Sequence, residues 1–197
     1  MKILLINNHT DYLYNVKNAL KGHDIEVQVY KPGLEFRYQD KDLVVLSGGG
    51  GEGFEVKDTF RGKLWYEDEM DFVLRCDKPI LGICMGFEVI AAAYGSKVEH
   101  MGDLIKGFKQ VQVTALGEKE TREESLNQFE WHQYGVKEVS SQHFETLAYS
   151  DNGIEMIRHR GRPILATQFH PEVGGTLTVE TLVKELLRVP KAETVFA

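Results

Sequence analysis

Unbroken apolar runs alternate with helical-period stretches through the first half of this chain, and their spacing predicts its architecture. Residues 2–6 read as a strand, residues 11–20 as a helix closed by Gly22, and residues 25–30 as a second strand. Leu43-Val44-Val45-Leu46 is a third strand, a continuous apolar run of the kind buried on both faces of a parallel sheet. Residues 62–76 read as helix and residues 80–83 as a fourth strand. Strands alternating with helices at this spacing predict an α/β fold, a doubly wound and mostly parallel sheet with helices on both faces. The second half is richer in strands, over residues 109–114, 155–158 and 163–169, with a closing helix from about Thr176 to Leu187. In such sheets ligands bind outside the carboxyl ends of the strands. The loops after Leu46 and after Ile83 both fall at that edge.

Composition narrows the function. The chain of 197 residues suits one domain, residues 1–197, because no linker, repeat or charge block divides it. A formal net charge of −7 with scattered basic residues argues against nucleic acid as a partner. No run approaches the length of a membrane span, and the opening apolar residues are too few for a signal peptide. Two cysteines, Cys76 and Cys84, make no disulfide framework, so a reducing cytoplasm is expected. Cys76, between Arg75 and Asp77 at a helix end, reads as incidental.

Gly82-Ile83-Cys84-Met85-Gly86-Phe87-Glu88 has the plan of a nucleophile elbow: strand, glycine, nucleophile-type residue, glycine, helix. A small buried cysteine is the bland alternative. An elbow would also put Cys84 at a helix N-terminus, where free N–H groups favour a thiolate. After the third strand, Ser47 is followed by Gly48-Gly49-Gly50-Gly51, a flexible loop or a source of N–H groups. Beside the elbow, one of these N–H groups can form half of an oxyanion hole, with that of Met85 as the other half. Near the C-terminus, His170-Pro171-Glu172 predicts an extended segment, because the residue before proline avoids helix. Residues two apart then share a side, which puts the Glu172 carboxylate beside the His170 imidazole, the arrangement of a triad. A surface His-Glu pair is the alternative. Metal binding is not expected, because no third and fourth ligand appear at a recognisable spacing. Together with an elbow cysteine, the pair favours catalysis. Of the other histidines, His9, His23, His100, His143 and His159 read as solvated. His132 lies in the aromatic segment 129–136, a strand and turn in which Trp131 reads as core.

In that order, the Gly-rich strand end, the Cys elbow and the His-Pro-Glu resemble the class I (triad) glutamine amidotransferases along essentially the whole chain. The matching segments are residues 46–49, 79–86 and 167–173. Residues 6–15 are similar to a diverged form of the N-terminal segment in amidotransferase subunits of the anthranilate and aminodeoxychorismate synthases. The resemblance implies a flavodoxin-like fold, no cofactor, and glutamine or another γ-glutamyl amide as substrate. It implies Cys84 as nucleophile, His170 and Glu172 as base and orienter, and the N–H groups of Gly49 and Met85 as oxyanion donors. Gly49, Gly50, Gly51, Glu88, Gln133 and Tyr134 would lie around the bound glutamine, and ammonia would pass to a separate synthase protein. Two features depart from the family: glutamine is usual at the position of Glu88, and the glycine run replaces a proline-containing loop. Phe87-Glu88 is instead similar to the γ-glutamyl hydrolase branch, so a stand-alone γ-glutamyl hydrolase or peptidase is the alternative. A non-catalytic redox or binding protein using the elbow thiol is a second, against which the intact His170-Glu172 pair argues.

Overall fold

The computed structural model describes residues 1–49 and 53–188. Five strands form the parallel half of a mixed sheet: β1 (Lys2–Asn8), β2 (Asp24–Val29), β3 (Leu43–Gly49), β6 (Ile80–Ile83) and β11 (Ile164–Thr167). Four more continue it in antiparallel fashion: β7 (Val98–Val113), β8 (Ser125–Val136), β9 (Phe144–Ser150) and β10 (Gly153–His159). The order across the sheet is β2-β1-β3-β6-β11-β10-β9-β7-β8.

The central strands are buried on both faces, as their unbroken apolar runs require. Leu4, Ile6, Val44 and Leu46 face one core with helices α2 (Glu67–Arg75) and α3 (Met85–Ala93). Ile3, Leu5, Leu43 and Val45 face the other, with α1 (Leu13–Ala19) and α5 (Val179–Arg188). Helix α5 buries Val179, Leu182, Val183 and Leu186, the i, i+3, i+4, i+7 stripe of a surface helix. Each such side chain contributes about 1.5–3 kcal/mol of transfer free energy. None of the helices among the described residues is long and apolar enough to cross a membrane.

Several expectations need correction. Residues 62–66 are not helical: β4 (Thr59–Phe60) and β5 (Lys63–Leu64) form a small hairpin, and α2 begins only at Glu67. Gly62, with φ of 83°, occupies the turn between them. The ribbon of β7 and β8 is much longer than predicted, and it is followed by the unforeseen β9. Helix α4 (Ala115–Thr121) was also unforeseen, although Thr114 caps it by accepting from the Gly117 N–H at 3.1 Å. The sheet curls enough that β8, at its far edge, meets the segment following β11. There the His170 N–H donates to the Phe129 carbonyl at 2.8 Å and the Thr176 N–H to that of Asn127 at 3.0 Å.

Candidate active site

The carboxyl ends of β1, β3, β6 and β11 converge on an open cleft enclosing about 820 Å³. Cys84, Met85, Glu88, Gly49 and His170 line it from these strand ends. Trp131, His132, Gln133 and Tyr134 line it from β8, brought there by the curl of the sheet. Gly50 and Gly51 lie outside the described residues.

Cys84 stands between β6 and α3 with φ 50° and ψ −105°, a strained conformation for a residue with a Cβ. Such strain costs about 1–3 kcal/mol and persists only where the surroundings enforce it. Here the Cys84 N–H donates to the Thr167 carbonyl at 2.8 Å, and its own carbonyl accepts from Glu88 N–H at 3.1 Å. The flanking glycines are needed for close approach. A Cβ at Gly82 would lie 2.8 Å from the Gly86 carbonyl oxygen, and one at Gly86 would lie 2.7 Å from the Leu46 Cβ. The elbow foreseen in the sequence is present.

The thiol does not behave as the helix terminus alone suggests. Burial pushes its pKa well above the ordinary range, and the carboxylates of Glu88 and Glu172 push further. The Met85 N–H acts in the opposite direction and does not prevail. Cys84 is therefore a thiol in the free site, and attack requires a base. That group is at hand. His170 Nδ1 donates to Glu172 Oε1 at 2.7 Å, both side chains being buried. A carboxylate only accepts, so Nδ1 carries the proton and Nε2 keeps its lone pair. Nε2 is buried and has no hydrogen-bond partner among the described residues. A Cβ on Gly48 would sit 2.9 Å from His170 Cε1 and 3.6 Å from Cys84 Cβ, so only a glycine lets β3 end between base and nucleophile. The edge of the Tyr12 ring closes the other side of the imidazole, centroids 5.1 Å apart.

Glu88 is on the cleft, four residues after Cys84 on the first turns of α3. Burial pushes its carboxyl up to about 7, against the hydrogen bond it accepts from Gln168 Nε2 at 3.0 Å. Gln168 Nε2 also lies 3.9 Å from Cys84 Sγ, so this side chain ties the glutamate to the nucleophile. Gln168, Tyr12 and two further carboxylates on the cleft, Asp11 and Glu55, were not foreseen; Gln168 lies in the terminal motif and Asp11 and Tyr12 in the segment 6–15, and Glu55 has no signal in the sequence. It also misjudged Trp131, which is half-buried on the cleft beneath the Lys106 ammonium (3.8 Å to the ring centroid) rather than in the core. Of the five histidines expected to be solvated, three make hydrogen bonds through the ring. His9 Nε2 donates to the Tyr30 carbonyl at 2.9 Å, His100 Nδ1 accepts from Gly102 N–H at 3.1 Å, and His159 Nδ1 accepts from Gly161 N–H at 3.0 Å. Cys76 is buried away from the cleft, its thiol pushed up to about 11 by burial.

Comparison with known proteins bears on this geometry. Residues 4–189 match the family model described as glutamine amidotransferase class-I. The chain is 31% identical over 195 residues to the A subunit of the glutamine-hydrolyzing GMP synthase of Methanosarcina barkeri, covering 96% of each. It is 31% identical over 194 residues to anthranilate synthase component 2 of Thermococcus kodakarensis, covering 96% of this chain and 95% of that one. Its fold is shared with the crystal structure of a Thermoplasma acidophilum protein assigned as the A subunit of a GMP synthase. That likeness has a TM-score of 0.73 at 23% identity, over 95% of this chain and 92% of the other. An elbow cysteine, an oriented imidazole and a match over nearly the whole length agree: the chain belongs to the class-I glutamine amidotransferase family.

Proposed function

We propose that this protein is a glutaminase subunit that hydrolyses the side-chain amide of glutamine and passes ammonia to a separate synthase. The observation that carries the reading is the unpartnered Nε2 of His170, one glycine away from the thiol of a strained elbow. Cys84 Sγ attacks the amide carbon as His170 Nε2 takes the thiol proton, and the N–H groups of Gly49 and Met85 receive the developing oxyanion. His170 then gives the proton to the departing nitrogen, which leaves as ammonia from a γ-glutamyl thioester. Water, deprotonated by the same nitrogen, opens the thioester to glutamate and restores the thiol. Glu172 holds the Nδ1 proton throughout and stabilises the imidazolium. Glu88, Gln133 and Tyr134 surround the amino-acid end of the substrate.

Both relatives named above are single components of synthases, by their own names, which supports a partner synthase here. The parallel half, in the order β2-β1-β3-β6-β11, supports a flavodoxin-like description. We read residues 1–197 as one domain, since one core joins β1 to the closing helix α5 and the other joins β1 to β11 across the same sheet. Two free, buried cysteines support a cytoplasmic location. The Glu88 carboxyl favours one second reading, a stand-alone γ-glutamyl hydrolase that accepts bulk beyond the scissile amide.

Ammonia release from glutamine, with and without candidate synthases, tests the assignment. Cys84→Ala should abolish it and Cys76→Ala should leave it largely intact; undiminished release from the Cys84 variant overturns the nucleophile. Partner-independent turnover that prefers bulky γ-glutamyl amides over glutamine selects the hydrolase reading.

A further inference from the structure

Behind the substrate cleft lies a second constellation that the proposed reaction does not use. Glu130 and His132 on β8 and Glu155 on β10 are all buried, and one ligand-type atom from each lies within 4.8 Å of the others. The orientation of the imidazole is informative. His132 Nδ1 lies 2.6 Å from the Tyr134 carbonyl oxygen, which can only accept, so Nδ1 carries the proton. The other ring nitrogen, Nε2, therefore faces Glu130 Oε2, 3.4 Å away. A nitrogen and a carboxylate oxygen are thus held close together in a dry interior, where a carboxylate needs a cation or a hydrogen-bond donor beside it. The carboxylates have the same need: Glu130 Oε1 and Glu155 Oε2 are buried without a hydrogen-bond partner among the described residues.

We propose that Glu130, His132 and Glu155 bind a divalent cation of the zinc or manganese class. One imidazole nitrogen and two carboxylates are a donor set for such ions, and a 2+ charge balances two buried carboxylates. Ligands about 2.1 Å from a tetrahedral zinc lie about 3.4 Å apart, the separation that Nε2 and Glu130 Oε2 already have. The outer partners also fit. A metal-bound histidine characteristically donates its other ring N–H to a carbonyl or carboxylate, as His132 does to Tyr134. Ser150 Oγ donates to Glu155 Oε1 at 2.6 Å and holds that carboxylate in place. Because His132 also lines the cleft, the ion has an entry path, and its presence would fix the Tyr134 carbonyl and hence the wall against which substrate lies. The site stands apart from the glutaminase reading and does not depend on it.

The test uses Cys84→Ala protein, so that the cleft thiol cannot hold the metal. After incubation with zinc or manganese and gel filtration, elemental analysis should find about one equivalent per chain. Glu155→Gln and Glu130→Gln in the same background should each lower retention at least tenfold, while Glu69→Gln, a buried carboxyl elsewhere, should leave it unchanged. Cobalt substitution should give a visible spectrum of nitrogen and oxygen ligation without Cys84, which keeps the test decisive if a glutamine variant fails to fold. No retained metal in the Cys84→Ala protein, or retention unaffected by Glu155→Gln, overturns the site.

Discussion

Two buried histidine–glutamate pairs, each with its members two residues apart, flank the same cleft and are wired in opposite senses. In His170–Glu172 the carboxylate accepts a hydrogen bond from Nδ1–H, and Nε2 is left open beside Cys84. In His132–Glu130 a backbone carbonyl accepts from Nδ1–H and Nε2 faces the carboxylate. In the two roles proposed above, the first wiring suits a base and the second a ligand. Residue type and spacing are thus insufficient to assign a role; the partner of Nδ1 decides it.

Replacing the imidazole of the first pair should have the largest effect. His170→Ala should lower ammonia release by about 10⁴-fold or more, as much as losing Cys84, because members of a triad act as a unit. Glu172→Ala should cost about 10–100-fold less in steady-state kcat. If Glu172→Ala proved silent while His170→Ala was inactive, Nδ1 would have to be oriented by something else, and the contrast between the pairs would fail.

Gly48→Ala should come next. Its methyl group would press on the His170 ring from 2.9 Å, and displacements of about an ångström at a reacting centre cost about 100-fold in rate. The expected loss is in kcat, with circular dichroism and melting temperature nearly unchanged; wild-type kcat would show that the ring has room to yield.

Glu88 sharpens the comparison from the substrate side, as a buried carboxyl with an amide neighbour. With its pKa pushed up to about 7, it is charged above that pH and can then attract the α-ammonium of the substrate. N-acetylation of glutamine should therefore lower kcat/KM at pH 8 by about 1.5–3 kcal/mol, the worth of a charged hydrogen bond. Glu88→Gln should shrink the penalty, and so should assay at pH 6 in the wild type. Equal penalties in the two proteins at pH 8 would make Glu88 structural.

The smallest effect is on stability. Glu69 is fully buried, and its carboxyl is pushed up to about 8 by burial, against the hydrogen bond from Asn8. A carboxyl raised in the folded state stabilises most below its unfolded pKa near 4.5, and that contribution is lost as pH rises through about 8. Urea unfolding at pH 5 and pH 9 should show Glu69→Gln reducing the alkaline loss by about 1–2 kcal/mol. An unchanged difference would mean that Glu69 is already ionised at pH 5.

The half of the molecule holding the triad was legible because its signals are local. Runs such as Leu43–Leu46 are apolar on both faces, and Cys84 and His170–Glu172 each announce themselves within a few residues. The β7–β8 ribbon was not legible. Its first half is largely exposed, and its register slips between His100 and Ile105, so no alternation marks it. Trp131 was misjudged because a large aromatic on an edge strand and one in a core look alike until the sheet curls. The Glu130–His132–Glu155 cluster joins two strands through tertiary structure, which no spacing rule along the chain can reveal. Gln168 lay inside a recognised motif, but its tie to Glu88 depends on a helix far away in sequence.

The curl of the sheet also has a mechanical meaning. The amide of His170 hangs from the Phe129 carbonyl, two residues before Trp131, while the amide of Cys84 hangs from Thr167 on the opposite side. His170 is therefore held from two sides, by the chain leaving β11 three residues earlier and by the ribbon that carries the substrate wall. The curl of the sheet thus sets the distance between the imidazole and the wall that Trp131 contributes to the cleft.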